Sequence, residues 1–220
     1  MRPRLLIALL LLAACTQGDS AEPSTTGTTT TTTSSSTLDT SPTTTIAPGE
    51  GAEVIDGFSF ADQEAVYLLV DHRSDPEVVA AAEAALAGGA SGDELWAATF
   101  VWSNEGTDPD PLLELLDDED SSIRYMAATG LIGRGRIEGF GPLIAALTDE
   151  GVLRGFEPAG PVWAAATTAL VRFTAISAHG PPWDADSARL QIAQDRWQEW
   201  LEANQSRLAF DAVDLIWSTE

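Results

Sequence analysis

The chain has 220 residues, 44 % of them hydrophobic, with 34 acidic residues against 11 arginines and no lysine, a formal net charge of −23. This acidity argues against a nucleic-acid partner, because phosphate backbones are bound by basic surfaces. A single cysteine, Cys15, excludes an internal disulfide, so packing alone must stabilise the fold. The chain is long enough to form one well-buried domain.

The first fourteen residues have the pattern of a targeting signal. Arg2 and Arg4 precede an apolar run over residues 5–14 that is too short to span a bilayer. Leu12-Ala13-Ala14-Cys15 resembles the bacterial lipobox, which implies that residues 1–14 are a lipoprotein signal peptide. The lipidated Cys15 would then anchor the chain to the cell membrane on its extracytoplasmic face. The alternative is an ordinary secretory peptide with an incidental cysteine.

Residues 15–57 are predicted to be a disordered tether that begins at the lipidated cysteine. Residues 16–48 contain 20 serines or threonines in 33 positions, and few of the other residues could form a core. Such a segment would hold the domain predicted over residues 58–220 away from the membrane.

Helical periodicity begins after residue 57 and continues to about residue 204, which predicts an all-α domain. A first helix is expected over residues 60–71. A capping sequence at residues 74–77 predicts the start of the second helix, and Gly88-Gly89 predicts its end. Ser91 and Glu94 form another capping box, which opens a third helix to about residue 104. We favour an extra helix here, although it could belong to a repeat pair.

Three stretches, residues 78–86, 123–131 and 162–170, align without gaps and share an apolar stripe at i, i+3, i+4, i+7 and i+8. Alanine occupies the i+4 position each time, which allows a neighbouring helix to approach closely. Each stretch follows a shorter predicted helix with an inward triplet: Val66, Leu69 and Val70; Leu112, Leu115 and Leu116; Leu143, Ala146 and Leu147. Such pairs cannot bury their apolar faces alone, so they are expected to stack.

Residues 111–131 are the clearest of these pairs. Pro111 opens the first helix, Asp117, Asp118 and Asp120 form an acidic turn, and Arg124 stands near the start of the second helix. This pattern resembles the HEAT-like repeat, including the variety found in phycobilisome lyases. The resemblance implies a short, degenerate α-solenoid, and it implies that Arg124 ties its helix to the acidic turn.

The third pair and the C-terminal region depart from this pattern. The turn of the third pair is eight residues longer than that of the second, and its glycine-rich residues 151–160 are expected to form an exposed insertion and a candidate contact site. A helix over residues 185–204 is expected to cap the stack with one apolar face: Leu190, Ala193, Trp197, Trp200 and Leu201. Residues 210–217 are expected to form a short extended segment.

The sequence offers no catalytic constellation. His72 and His179 lie in no motif with a chemical role, so we expect no enzyme, no catalytic residue and no cofactor. The acidic run over residues 117–120 lacks the glycine and the distal glutamate of a calcium loop. No metal site is predicted.

Two sets of residues are candidates for binding a partner. Arg134 and Arg136 could grip a carboxylate or phosphate, although pairing with nearby acids beside a helix C-terminus is the alternative. Four tryptophans could line a groove, although core and capping positions are the alternative. These tryptophans are Trp96, Trp102, Trp163 and Trp183.

Together these patterns lead to the hypothesis of a membrane-anchored, extracytoplasmic and non-catalytic module that binds protein partners at the cell envelope. The alternative is a lipoprotein receptor for an envelope glycan or a cation. A third possibility, an enzyme related to the HEAT-like lyases, is disfavoured by export and by the missing acid–base pair. The sequence leaves the oligomeric state open.

Overall fold

The computed structural model describes residues 51–155, 160–182 and 184–219. Residues 1–50, with the predicted signal peptide, Cys15 and most of the predicted tether, lie outside this part, as does Trp183. The helices are α1 (Gly51–Asp56), α2 (Gln63–His72), α3 (Pro76–Gly88), α4 (Gly92–Glu105), α5 (Asp110–Leu113), α6 (Ser121–Ile132), α7 (Phe140–Ala145), α8 (Val162–Thr174) and α9 (Ser187–Asn204). Two short strands, β1 (Leu208–Asp211) and β2 (Ile216–Thr219), follow. The described part is mostly helical, as predicted.

The folded part begins earlier than predicted. Helix α1 occupies residues 51–56, which the prediction assigned to the tether, and its Val54 and Ile55 are buried. It packs so closely on α3 that a Cβ at Gly51 would lie 2.6 Å from the backbone of Glu77. The boundary at residue 57 is therefore wrong, because two adjacent apolar residues in a six-residue helix are too few to produce a periodic signal.

Helix α3 begins and ends where predicted, although its N-cap residue Asp75 makes no side-chain hydrogen bond to the helix, whereas α2 departs from the prediction. Pro76 is the first residue of α3, and Gly89 ends the helix in the left-handed conformation with φ 76°. In α2, Leu69 is buried, but Val70 is 38 % exposed although the triplet placed it inward. The helix therefore buries a narrower face than its apolar residues suggest.

Helix α4 is a central element of the core. It packs between α3 and α6, and all seven residues from Trp96 to Trp102 are buried. A helix segment that is apolar on all sides is buried on all sides. The predicted capping box is not formed, since Ser91 makes no side-chain hydrogen bond to the helix.

The three aligned stretches fall within α3, α6 and α8, and every position of their shared stripe is buried or half-buried, as predicted. The shorter helices before α6 and α8 are reduced to little more than one turn, because α5 has four residues and α7 has six. Two 3₁₀ turns, Ile137–Gly139 and Ala146–Thr148, flank α7.

Helix α6 connects two large hydrophobic cores, and its Ala127 and Leu131 form a smaller third cluster with Trp102 and Leu112. Its Ile123 and Met126 belong to an N-terminal core formed with α1 to α4. Its Ala128 and Ile132 belong to a C-terminal core formed with α7, α8, α9 and the strands. Because each turn of α6 serves a different set of neighbours, this helix holds the two cores together.

The C-terminal residues close the second core. The predicted face of α9 is confirmed, with Leu190, Ala193 and Trp197 buried and the other two residues half-buried. The expected extended segment is a hairpin in which Phe210 pairs with Trp217. The Trp217 indole donates a hydrogen bond of 3.1 Å to the carbonyl of Ile132. None of the helices in the described ranges is long and apolar enough to cross a membrane.

Candidate functional site

Arg134, a predicted partner-binding residue, is occupied inside the protein. All five of its guanidinium N–H groups donate to backbone carbonyls: those of Trp102, Ser103, Gly106 (twice) and Gly130, at 2.7 to 3.0 Å. Burial lowers its pKa. The side chain caps the C-terminal end of α4, where carbonyls lack helical partners. The partner-binding interpretation of Arg134 is therefore wrong.

Arg136 is also paired within the chain. Its two terminal nitrogens lie 2.9 Å from Asp110 and 2.9 Å from Glu138. Hydrogen bonds to these two carboxylates raise the pKa of Arg136, and the same contact lowers the pKa of Glu138. Arg136 thus links α5 to the first 3₁₀ turn, which agrees with the alternative interpretation of pairing with nearby acids.

The predicted tryptophan groove is not formed by Trp96 and Trp102, because each is 2 % exposed. Trp96 stacks between Phe58 and Phe100, with ring centroids at 5.6 and 5.4 Å. Trp102 donates its indole N–H to the carbonyl of Asp108 at 2.8 Å. These are core residues, as the alternative interpretation held.

Of the other two tryptophans of the predicted groove, only Trp163 is among the described residues. Trp163 is half-buried in the first turn of α8, and Trp183 lies outside the described residues. The structure therefore brings the four candidates into no shared surface that it describes.

Arg124 ties its helix to the acidic turn, as the resemblance implied, but it does so through backbone carbonyls. Its guanidinium donates to the carbonyls of Asp118 and Glu119 at 2.7 and 2.9 Å. It also reaches the Asp149 carboxylate at 3.1 Å, in the turn before the insertion. One arginine therefore connects the turns of two successive helix pairs.

The insertion was expected to be exposed, but its first residues are docked on the domain. Leu153 is 4 % exposed, and its N–H donates to the carbonyl of Gly160 at 2.9 Å. The backbone N–H of Arg154 donates to the hydroxyl of Ser122 at 2.9 Å. The exposed-loop prediction is confirmed for residues 151, 152, 154 and 155, which are exposed, and is wrong for Leu153, whose buried apolar side chain anchors the segment. Residues 156–159 lie outside the described part.

The side chain of Arg154 enters a site built by three distant parts of the chain, here named the Arg154 site. Its guanidinium contacts Asp93 of α4 at 3.3 Å and forms an ion pair with Asp120, the N-cap of α6. It also lies over the ring of Phe60, 5.1 Å from the centroid. Sequence reasoning missed this site, although a single arginine inside the insertion was visible.

Other groups with reactive side chains have structural contacts. His72 Nδ1 lies 2.8 Å from the Asp75 carboxylate, and the His179 ring packs edge-on against Trp197 at 5.2 Å. Among residues 51–155, 160–182 and 184–219, no group of three or more histidine, cysteine or acidic residues could hold a metal ion.

Comparison with known proteins identifies no relative: no family, no curated protein and no solved structure matches the chain. The interpretation of its function therefore rests on the residues and contacts described above.

Proposed function

We propose that this chain is a lipid-anchored, extracytoplasmic and non-catalytic module that binds protein partners at the cell envelope, built as a short, degenerate α-solenoid of HEAT-like helix pairs. The observation that carries the proposal is the succession of helices that pack on their neighbours along the chain. Helix α3 packs on α4, α4 on α6, and α6 on α7 and α8. Sequential packing of this kind is typical of repeat proteins, whose long surfaces serve as binding platforms.

The charge distribution supports a protein partner with cationic groups. Residues 51–220 carry 30 acidic residues and nine arginines. Arg124, Arg134, Arg136 and Arg154 are engaged inside the domain by carbonyls and carboxylates. Many acidic side chains therefore remain for interaction with partners, and an acidic surface accelerates the association of basic ones.

The alternative of a glycan or cation receptor has less support. It depended on tryptophans that could stack on sugars, and burial of Trp96 and Trp102 removes two of the four candidates. Its cation-binding form needs grouped acidic ligands, and the described residues supply no cluster of three. We therefore retain protein binding as the proposed function.

The anchor can be tested separately from the binding. Mass spectrometry of the full chain produced in a bacterial host should find diacylglycerol on Cys15 and cleavage directly before it. Cys15→Ser should carry no diacylglycerol and should not be cleaved directly before residue 15. A wild-type chain that lacks diacylglycerol on Cys15 would contradict the lipid anchor.

Binding is tested by photo-cross-linking from residues on exposed faces of the domain in cells. Probes at Tyr67 of α2 and Ile192 of α9, which are 61 % and 49 % exposed, sample opposite ends of the chain of helices. A specific envelope protein captured at one position and not at the other would support a defined interface. Absence of any cross-linked protein at a panel of exposed positions would overturn the proposed function.

A further inference from the structure

The Arg154 site has the composition of a recognition site for a guanidinium group. Two carboxylates, from Asp93 and Asp120, and one aromatic face, from Phe60, converge on the same side chain. These groups come from α4, from the turn before α6 and from the segment before α2. Carboxylates match the planar array of guanidinium donors, and an aromatic ring accepts the flat face of the same group.

The site is held in place without Arg154. The Asp93 carboxylate accepts hydrogen bonds from the backbone of Phe60 at 3.3 Å and from the hydroxyl of Ser59 at 3.5 Å. The Asp120 carboxylate accepts the backbone N–H of Ser122 at 2.8 Å as the cap of α6. Removal of the guanidinium therefore leaves both carboxylates positioned by the backbone.

The site is also open to solvent and carries spare negative charge. The side chains of Arg154, Asp93 and Asp120 are 42 %, 35 % and 23 % exposed. Two carboxylates face one guanidinium, so the pairing leaves a net negative charge. Since Leu153 and the Ser122 contact hold the backbone, the arginine side chain can leave the site while its segment stays docked.

We propose that the Arg154 site is a guanidinium-binding site that Arg154 fills in the free protein and that an arginine side chain of the protein partner fills in the complex. Arg154 thus acts as a built-in competitor that lowers the affinity for the partner. This inference rests on the proposed function, because it supplies the partner class and the contact site of the same module. It selects partners with an exposed arginine and discriminates against those that carry only neutral side chains.

The test titrates the full chain, in detergent, with N-acetylarginine amide. Binding is measured by the NMR chemical shift of the backbone amide of residue 154, which donates to the Ser122 hydroxyl. Arg154→Ala should bind roughly tenfold more tightly than the wild type, because the internal competitor is gone. N-acetylcitrulline amide, which has the same shape without the charge, should not bind either protein.

The matched control is Arg154→Ala combined with Asp93→Asn, which keeps a hydrogen-bond acceptor and removes one charge. It should bind the arginine ligand roughly threefold more weakly than Arg154→Ala alone. If Arg154→Ala loses its helical circular dichroism, Arg154→Gln, which can still donate to one carboxylate, takes its place.

Three results would overturn the inference: a folded variant with no saturable shift, equal affinity of the wild type and Arg154→Ala, or equal affinity with and without Asp93→Asn. Each of these leaves the anchor and the cross-linking results intact. Loss of the cross-linked partner would instead overturn the proposed function while leaving the ligand titration unchanged.

Discussion

The guanidinium of Arg134 lies across the end of α4, where it donates to the carbonyl of Trp102 at 2.7 Å. Arg134→Met should lower the free energy of unfolding by about 2–4 kcal/mol, because several half-buried carbonyls lose a charged donor at once. Urea unfolding measures this change. Arg136→Met is the matched control, and it should change stability little because its ion pairs are exposed. Equal losses in both variants would contradict the capping role.

Alkaline pH should destabilise the fold through Tyr125. Burial raises the pKa of Tyr125 to about 12 from its ordinary value of 10.0, and the nearby charge of Arg172 offsets part of this rise. Between these values the unfolded chain loses a proton that the folded protein keeps. Stability is therefore fully present below pH 10 and falls by roughly 1 kcal/mol per pH unit above it.

The contribution of Tyr125 can be separated from that of other groups, because the chain has two tyrosines and no lysine that would titrate between pH 10 and 12. Urea unfolding between pH 8 and 12 should give a smaller alkaline slope for Tyr125→Phe than for the wild type. Identical slopes in the two proteins would mean that the Tyr125 hydroxyl titrates normally.

The close approach of α4 and α6 depends on Gly130. A Cβ at this position would lie 2.8 Å from Leu112 Cδ1 and 2.9 Å from Ser103 Cβ. Gly130→Ala should therefore cost about 1–3 kcal/mol, despite the higher helix propensity of alanine. Gly88→Ala is the control, since no atom lies within 4 Å of its Cβ position, and it should gain roughly 0.5 kcal/mol. Thermal unfolding of both variants checks the opposite signs.

The end of α8 offers a stabilising substitution. Ala175 adopts the left-handed conformation with φ 57°, which costs energy for any residue with a Cβ. Ala175→Gly should raise the free energy of unfolding by about 1 kcal/mol. Gly89→Ala is the opposite substitution at the end of α3, where φ is 76° and no atom lies within 4 Å of the Cβ position. It should lower the free energy of unfolding by about the same amount. A loss of stability in Ala175→Gly would contradict this interpretation.

The long helices could be predicted because local signals agreed with their packing. The residues from Pro76 to Gly89 contain a proline that favours a helix start, an apolar residue spacing typical of a helix, and a glycine that favours a helix end. Helix α3 begins at Pro76 and ends before Gly89. Helix α1 could not be found in this way, since Val54 and Ile55 gain their burial from α3 rather than from any pattern of their own. Val70 fitted the period of α2, but the described elements leave 38 % of it exposed.

The candidate site was harder to predict, because charge in a sequence does not reveal its partner. Arg134 was a candidate for binding a partner, yet four of its five hydrogen bonds go to carbonyls 28 to 32 residues earlier, at the end of another helix. Arg154 was overlooked because Asp93 lies 61 residues earlier in the chain. Contacts between residues so far apart in the sequence depend on how α4, α6 and the insertion pack, and no local sequence pattern encodes this packing.

The hydrogen bond from Trp217 to Ile132 joins residues that are 85 positions apart. Since a chain is made from its N-terminus, the end of α6 is synthesised long before the indole that covers it. The C-terminal core therefore stays partly uncovered until the β1–β2 hairpin has been synthesised.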